Sequence, residues 1–289
     1  MLSDNYVFDS QFMFLPDQQA LKSAYDKTVR SNELFSKDGL RAYYRTESWD
    51  SNYFKKNIAR LVSITNRNEN EKYRELNHEM KKFDCVYLRL NETHSYCSFA
   101  EYEGIPLLCS KVTQFNDLKD FEPKFAGDIN YMTYSSLSLM EREAVLKDVL
   151  LLSRASFVHG RFRADKNFDP DLIDGMYAGW VENEVKAQQS ELYFLQSNGK
   201  LVSFFLYRKN ISPLNTYKIG FVSLIASAVE YKNRNFAGSL LNYVINQAKS
   251  ENTQYIVANT ETTNTSALSF FNKNGFLVSA RLNEYHLWN

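Results

Sequence analysis

Between residues 218 and 250 the hydrophobic pattern changes period once. Ile219, Phe221, Val222, Leu224, Ile225 and Val229 make a β-branched, apolar run too short for a core helix, which predicts a strand ending near Val229. Lys232, Asn233, Arg234 and Asn235 then interrupt it with a polar, basic turn. From Phe236 the apolar positions Phe236, Leu240, Leu241, Val244, Ile245 and Ala248 share one helical face. A strand feeding a basic loop that opens a helix predicts an anion cradle. Free backbone N–H groups and the positive end of the helix dipole converge there, and Lys232 and Arg234 add charge.

The same alternation recurs downstream, where Gln254–Thr260 reads as a strand and Asn264 starts a helix with apolar Ala267, Leu268, Phe270 and Phe271. Asn274 and Gly275 close that helix before the strand-like Phe276–Val278. Upstream, a helix is predicted over Asp17–Arg30, with Leu21, Ala24, Tyr25 and Val29 on one face; the role of the first 45 residues stays open. Glu47–Phe54 reads as a loop and Ile58–Val62 as a strand. A helix follows around Glu69–Lys82, then a strand over Cys85–Leu90, a helix over Ser95–Glu103 and a strand over Ile105–Phe115. The pattern breaks at Phe121-Glu122-Pro123 and resumes with a helix over Ser138–Ala155. Strands alternating with helices predict an α/β fold in two parts, residues 1–122 and 123–289.

Composition narrows the function classes. Lys plus Arg equals Asp plus Glu at 34 each, so no global basic field points to nucleic acid or an anionic membrane surface, and any anion must be held locally. No apolar run approaches the roughly 18 residues of a membrane span. Met1-Leu2-Ser3-Asp4 lacks the form of a signal peptide, so the expected compartment is the cytoplasm. Cys85, Cys97 and Cys109 are odd in number and lack paired ligand spacing, which predicts reduced thiols and no metal site.

The basic loop is neither a P-loop nor GxGxxG. Lys232-Asn233-Arg234-Asn235-Phe236-Ala237, followed by Gly238, resembles the acetyl-CoA pyrophosphate loop of the GNAT superfamily of N-acyltransferases, with asparagines where glycines are usual. Asn is the non-glycine residue most tolerant of a left-handed backbone. Asn264, Ala267, Gly275 and Phe276 keep the spacing of the superfamily's second motif, with Phe271 at its tyrosine position. Arg161-Phe162-Arg163 with Asp165, the Tyr177-x-x-Trp180-x-Glu182-Asn183 helix, and Trp49-Asp50-Ser51-x-x-Phe54 are similar to nucleotide-aminosugar acetyltransferases related to dTDP-fucosamine N-acetyltransferase. That likeness covers residues 47 to 289.

The resemblance implies a GNAT fold in the C-terminal half, with a smaller α/β N-terminal domain that is a degenerate copy of the same plan. It implies transfer of an acetyl group from acetyl-CoA to the amine of a nucleotide-linked (dTDP) amino-deoxysugar for surface polysaccharide; a homodimer is allowed. Backbone groups near Ile225, Ala226 and Val229 would pair with pantetheine, the loop from Lys232 to Ser239 would take the pyrophosphate, and Asn264 would bond to the cofactor. Arg161, Phe162, Arg163, Asp165, Tyr177 and Trp180 would contact the substrate. The two arginines serve as anion clamp or internal ion pairs, Asp165 holds sugar hydroxyls or pairs with an arginine, and Tyr177 and Trp180 are a stacking wall or core. Trp49 and Asp50 read as a structural corner.

Proton handling departs from the family. Phe271 cannot protonate a thiolate, and where relatives carry an acid near Pro106–Lys111 this chain has Cys109 and Ser110. His159 is the candidate replacement, having a suitable intrinsic pKa. Two alternatives stand beside the main reading: an N-acyltransferase for another amine or acyl donor, and a non-catalytic acyl-CoA-binding protein.

Overall fold

A computed structural model describes residues 12, 14–30, 32–37, 40–65, 70–123, 130–209, 211–212, 214, 216–232 and 234–289. Asn233 of the basic turn, Glu69 and Met1–Asp4 lie outside these residues, as do the side chains of Leu21, Tyr25 and Val29. The N-terminal part runs α1 (Gln18–Val29), β1 (Glu33–Lys37), β2 (Leu40–Thr46), α2 (Ser48–Phe54), β3 (Ile58–Thr65), α3 (Asn70–Glu79), β4 (Cys85–Asn91), α4 (Ser95–Tyr102) and β5 (Leu107–Asp117). The C-terminal part opens with β6 (Tyr131–Thr133), α5 (Leu139–Ser156), α6 (Arg161–Ala164), α7 (Pro170–Lys186), β7 (Glu191–Ser197) and β8 (Lys200–Arg208). It closes with β9 (Ile219–Ser227), α8 (Phe236–Ser250), β10 (Tyr255–Glu261), α9 (Thr265–Lys273) and β11 (Leu277–Trp288).

Local chemistry accounts for most boundaries. Ser138 and Glu141 form a capping box at the start of α5, and Asp169 caps α7 ahead of Pro170. Asn264 caps α9 by accepting from the Ala267 amide, and Gly275 ends that helix at φ 81°. Two expectations are corrected. Glu47–Phe54 is mostly the helix α2, because Trp49, Tyr53 and Phe54 need a single surface to pack against α7. The strand predicted to reach Val229 stops at Ser227, and Val229 lies in an exposed 3-10 turn that turns the chain toward α8.

All described strands belong to one sheet ordered β1-β2-β3-β4-β11-β5-β10-β9-β8-β7-β6. At its centre the two parts exchange strands. β11 pairs antiparallel with β4 and β5, and β5 pairs antiparallel with β11 and β10. The segment β3-α3-β4-α4-β5 repeats the connectivity of β9-α8-β10-α9-β11, each starting with a parallel pair joined through a helix. A division at 122/123 therefore falls after a strand seated between β10 and β11.

Strand alternation places the core on both faces. Leu88, Leu90 and Tyr285 face α3 and α4, and Tyr193, Phe205, Val222 and Ile256 face α8. On the other face Phe194, Phe204 and Leu224 meet α5 and α7, while Cys85 and Tyr87 meet α2 and α7. Gly175 of α7 lets α2 approach, since a Cβ there would lie 2.8 Å from the Tyr53 hydroxyl.

Candidate active site

β9 and β10 begin as a ladder and then part. Their register runs from Tyr255 opposite Ile219 to Ala258 opposite Val222, after which β9 continues to Ser227 and β10 to Glu261 without pairing to each other. The divergence opens a cleft of about 920 Å³, lined there by Val222 to Ile225, Asn259 to Glu261, Asn264, Ala267 and Phe271. It continues past Phe157 to Phe162 of the α5–α6 connection to Arg45, Glu47, Trp49, Asp50, Arg60, Arg89 and Lys111 of the N-terminal part.

The electrostatics of that far wall centre on Glu284. It lies opposite Arg89 on β4 and opposite Cys109 on β5. Arg89 reaches it at 2.6 Å, Arg161 at 3.0 Å and Lys111 at 3.3 Å. Burial works to raise its pKa, but these cations hold it well below the usual carboxylate range. A second carboxylate, Glu47, takes Arg60 at 2.7 Å and Arg45 at 3.1 Å; burial pushes it up, yet the two arginines bring it down to about 2. Two acids behave in the opposite way. Burial raises Asp50 against the pull of Arg161 and Arg60, and raises Glu261, with Glu284 adding to the effect against Lys111 and His159.

The expected site residues separate into groups. Ile225, Asn264, His159, Arg161, Phe162, Tyr177, Trp180 and Phe271 line the cleft. Tyr177 and Trp180 stack at 6.3 Å, and the Tyr177 hydroxyl donates to the His159 carbonyl at 3.1 Å. Lys232 and Arg234 stand exposed before α8, where the amides of Phe236, Ala237 and Gly238 are the ones a helix start leaves without an internal acceptor. Asn235 adopts the left-handed conformation, φ 61° and ψ 13°, that a glycine would otherwise supply.

Other expected residues stand elsewhere. Ala226 packs against the α5–α7 core, beyond the stretch of β9 that lines the cleft, and its carbonyl accepts from Ser203. The Ser239 amide is spent on the Asn235 carbonyl and its side chain is buried, as the fourth position of a helix requires. Arg163 is exposed and paired with Asp174 at 2.5 Å, outside the cleft. Asp165 is buried and takes its bonds from His286 at 2.6 Å and Trp288 at 2.7 Å on the last strand and from Asn167 at 3.0 Å, and among the described residues it pairs with no arginine. Cys109 is no base: burial first, then Glu284 3.4 Å away, pushes its thiol up to about 12.

The sequence reading did not single out Glu261, Glu284, Arg60, Arg89 or Lys111. A usable signal existed, since Arg60, Arg89 and Lys111 are each the one cation inside an apolar strand. Glu261 ends β10 with its carboxylate toward the cleft, 3.4 Å from where a Cβ on Gly160 would lie. Gly160 itself holds φ 135° and passes close to the Tyr177 hydroxyl, so this bend admits no larger side chain. Among the described residues no cluster could hold a metal ion, and no helix is long and apolar enough to cross a membrane.

Residues 158–276, which hold the divergent strands and the α8 cradle, match the model of the acetyltransferase (GNAT) family. A curated relative, the spore coat polysaccharide biosynthesis protein SpsD of Bacillus subtilis (strain 168), is 20% identical over 137 residues, 47% of this chain and 45% of SpsD. The chain thus spans under half the length of that relative. At the level of fold, a GCN5-related N-acetyltransferase from Sphaerobacter thermophilus matches with a TM-score of 0.60 at 11% identity, over 87% of this chain and 78% of that one. A tandem GNAT protein from the clavulanic acid biosynthesis pathway matches with a TM-score of 0.51 at 12% identity, over 79% and 74% of the two chains. Residues 158–276 of this chain are an acetyltransferase domain of the GNAT family.

Proposed function

We propose that the chain is an N-acetyltransferase that moves an acetyl group from acetyl-CoA to the amine of a nucleotide-linked (dTDP) amino-deoxysugar used for surface polysaccharide. The observation that carries this reading is the single cleft joining the divergent β9 and β10 to a wall of arginines and aromatic rings. Backbone groups beyond Val222 on β9 have no partner strand on the β10 side and suit an extended pantetheine arm. The amides of Phe236 to Gly238, with Lys232 and Arg234, suit its pyrophosphate. Acetyl-CoA supplies the activated thioester.

On the acceptor side, Glu261 is the candidate general base. Its raised pKa keeps it nearer the proton affinity of an amine under attack than an exposed carboxylate would be. The transfer is proton-neutral overall: the amine gives up one proton and the leaving sulfur takes one. Glu261 can therefore carry that proton from one to the other, and Phe271, buried at the family's tyrosine position, is left to pack against Phe276. His159, expected in this role, lines the same cleft and offers its carbonyl to Tyr177.

The polysaccharide context leans on the name of SpsD, and the anionic sugar on the basic wall. The N-terminal part reads as a degenerate copy of the same plan. β3 and β4 also part after Arg60 opposite Tyr87, and beyond that point Leu61, Ile64, Leu88, Leu90 and Tyr96 belong to one buried core. The test is release of free thiol from acetyl-CoA with a panel of dTDP- and UDP-linked amino sugars, free amino sugars and peptides. Turnover with a dTDP-amino sugar is expected. Turnover only with free amino sugars or peptides overturns the acceptor, and acetyl-CoA binding without turnover on any amine leaves the chain a binding protein.

A further inference from the structure

The far wall of the cleft gathers more positive charge than it neutralises. Arg89, Lys111 and Arg161 share the single carboxylate of Glu284, and Arg45 and Arg60 share that of Glu47. All five cations line the cleft. The guanidinium groups of Arg161 and Arg60 lie 4.6 and 5.4 Å from the ring of Tyr87, so the two carboxylate clusters meet over one aromatic platform. Asp50, beside the same two arginines, and Glu261, opposite Lys111, are the other acids there, and burial raises the pKa of both. Arg161 is buried, yet its Nε has no hydrogen-bond partner among the described residues. Burial, with Arg89 and Arg161 beside it, pulls the Lys111 ammonium below its ordinary value against the pull of Glu284. A surplus of cations is costly unless an anion completes it.

We propose that this wall seats a phosphate group of the acceptor, held by Arg60, Arg89, Lys111 and Arg161, so that the N-terminal part supplies half of the acceptor site. The four side chains come from β3, β4, β5 and α6 and together offer more donors than a single carboxylate can take up. Such a set suits a tetrahedral phosphate better than a planar carboxylate, which one guanidinium fork would satisfy. Glu284 is then the counter-ion that keeps three of the cations in place while the seat is empty. The seat is distinct from the cradle at α8, whose residues do not line the cleft. Lys111 lies directly opposite Glu261 across β5 and β10, so the phosphate seat and the candidate base face the same space. The assignment rests on the acyl-transfer reading only in naming the acceptor as the owner of the phosphate.

Calorimetry with CoA present at saturation, so that the α8 cradle is filled, tests it with inorganic pyrophosphate, dTDP and succinate as probes. The expected result is binding of pyrophosphate and dTDP, little binding of succinate, and loss of about tenfold in affinity in Arg89→Gln and in Arg60→Gln with CoA affinity unchanged. Glu284→Gln should shift affinity the other way. Should that variant be less stable, added phosphate should raise its melting temperature more than that of the unaltered protein. Unaltered affinity in both arginine variants, equal binding of succinate, or no phosphate binding while CoA binds would overturn the seat and leave the acyl-transfer reading standing. Failure of CoA itself to bind would count against acyl transfer instead, and pyrophosphate binding that still depends on Arg89 would support the seat without it.

Discussion

At the scale of single residues, the site works by giving similar acids opposite environments. Glu284, buried, and Glu47, half-buried, sit among cations and stay ionised, whereas the half-buried Glu261 and Asp50 have less compensation and hold their protons more tightly. Pushing carboxylates apart in this way assigns roles: the first pair positions cations, and the second pair can exchange protons. For Glu261, kcat/KM should rise with pH through a limb above the ordinary carboxylate value. Glu261→Gln should remove that limb and lower kcat/KM by about 100-fold, with any limb from the acceptor's own amine left in place. A pH profile identical to that of the unaltered protein would exclude Glu261 as base. Glu47 gives a stability prediction of definite sign. Its folded pKa lies at about 2 against an unfolded value near 4.5, so the native state binds fewer protons. The stabilisation is present above about pH 4.5 and is lost as pH falls toward 2, on the order of 3 kcal/mol in all. Denaturant melts of Glu47→Gln should show a flatter dependence over that interval than melts of the unaltered protein.

At the scale of elements, what was legible in the sequence is what local pattern carries. The change from a two-residue to a helical period marked β9 and α8, and the Asn-x-x-Ala spacing marked α9, whose cap is the Asn264 side chain. The left-handed Asn235 was also readable, since Asn tolerates that conformation where the usual motif has glycine. Asn235→Gly should therefore leave stability within a few tenths of a kcal/mol, and Asn235→Val should cost about 1–2 kcal/mol by forcing a β-branched residue there, both read from denaturant midpoints. Lys232→Ala with Arg234→Ala should weaken acetyl-CoA binding about tenfold, roughly 1.4 kcal/mol, and an unchanged dissociation constant would remove the loop from the pyrophosphate site. What was not legible depends on partners distant in sequence. The cations of β3, β4 and β5 look like isolated exceptions in apolar strands until β11 brings Glu284 among them, and Asp165 looks available until His286 and Trp288 reach it across 121 and 123 residues. No periodicity encodes those meetings.

At the scale of the molecule, the exchange of β5 and β11 makes the two parts dependent on each other for both stability and chemistry. β5 fills the place between β10 and β11, where Thr113 bonds to Asn259 at 2.8 Å, Ser110 to Asn283 at 2.8 Å and Asn116 to the Asn274 carbonyl at 2.9 Å. A chain of residues 123–289 alone would keep the whole family-matched segment yet leave β11 unpaired on both edges and β10 on one, and strip Arg89 and Lys111 from Glu284. Such edges are templates for aggregation. We propose that residues 1–122 and 123–289 are two halves of one folding unit and not separable domains, although each repeats one connectivity. The expected outcome is that 123–289 expressed alone is insoluble or lacks a cooperative thermal transition. Co-expression with 1–122 should restore a soluble complex with one transition, because β5 can then add to the sheet from a separate chain. A monomeric, cooperatively melting 123–289 fragment that binds acetyl-CoA as tightly as the full chain would show that the strand exchange is dispensable. The N-terminal half would then matter only through the acceptor wall it brings to the cleft.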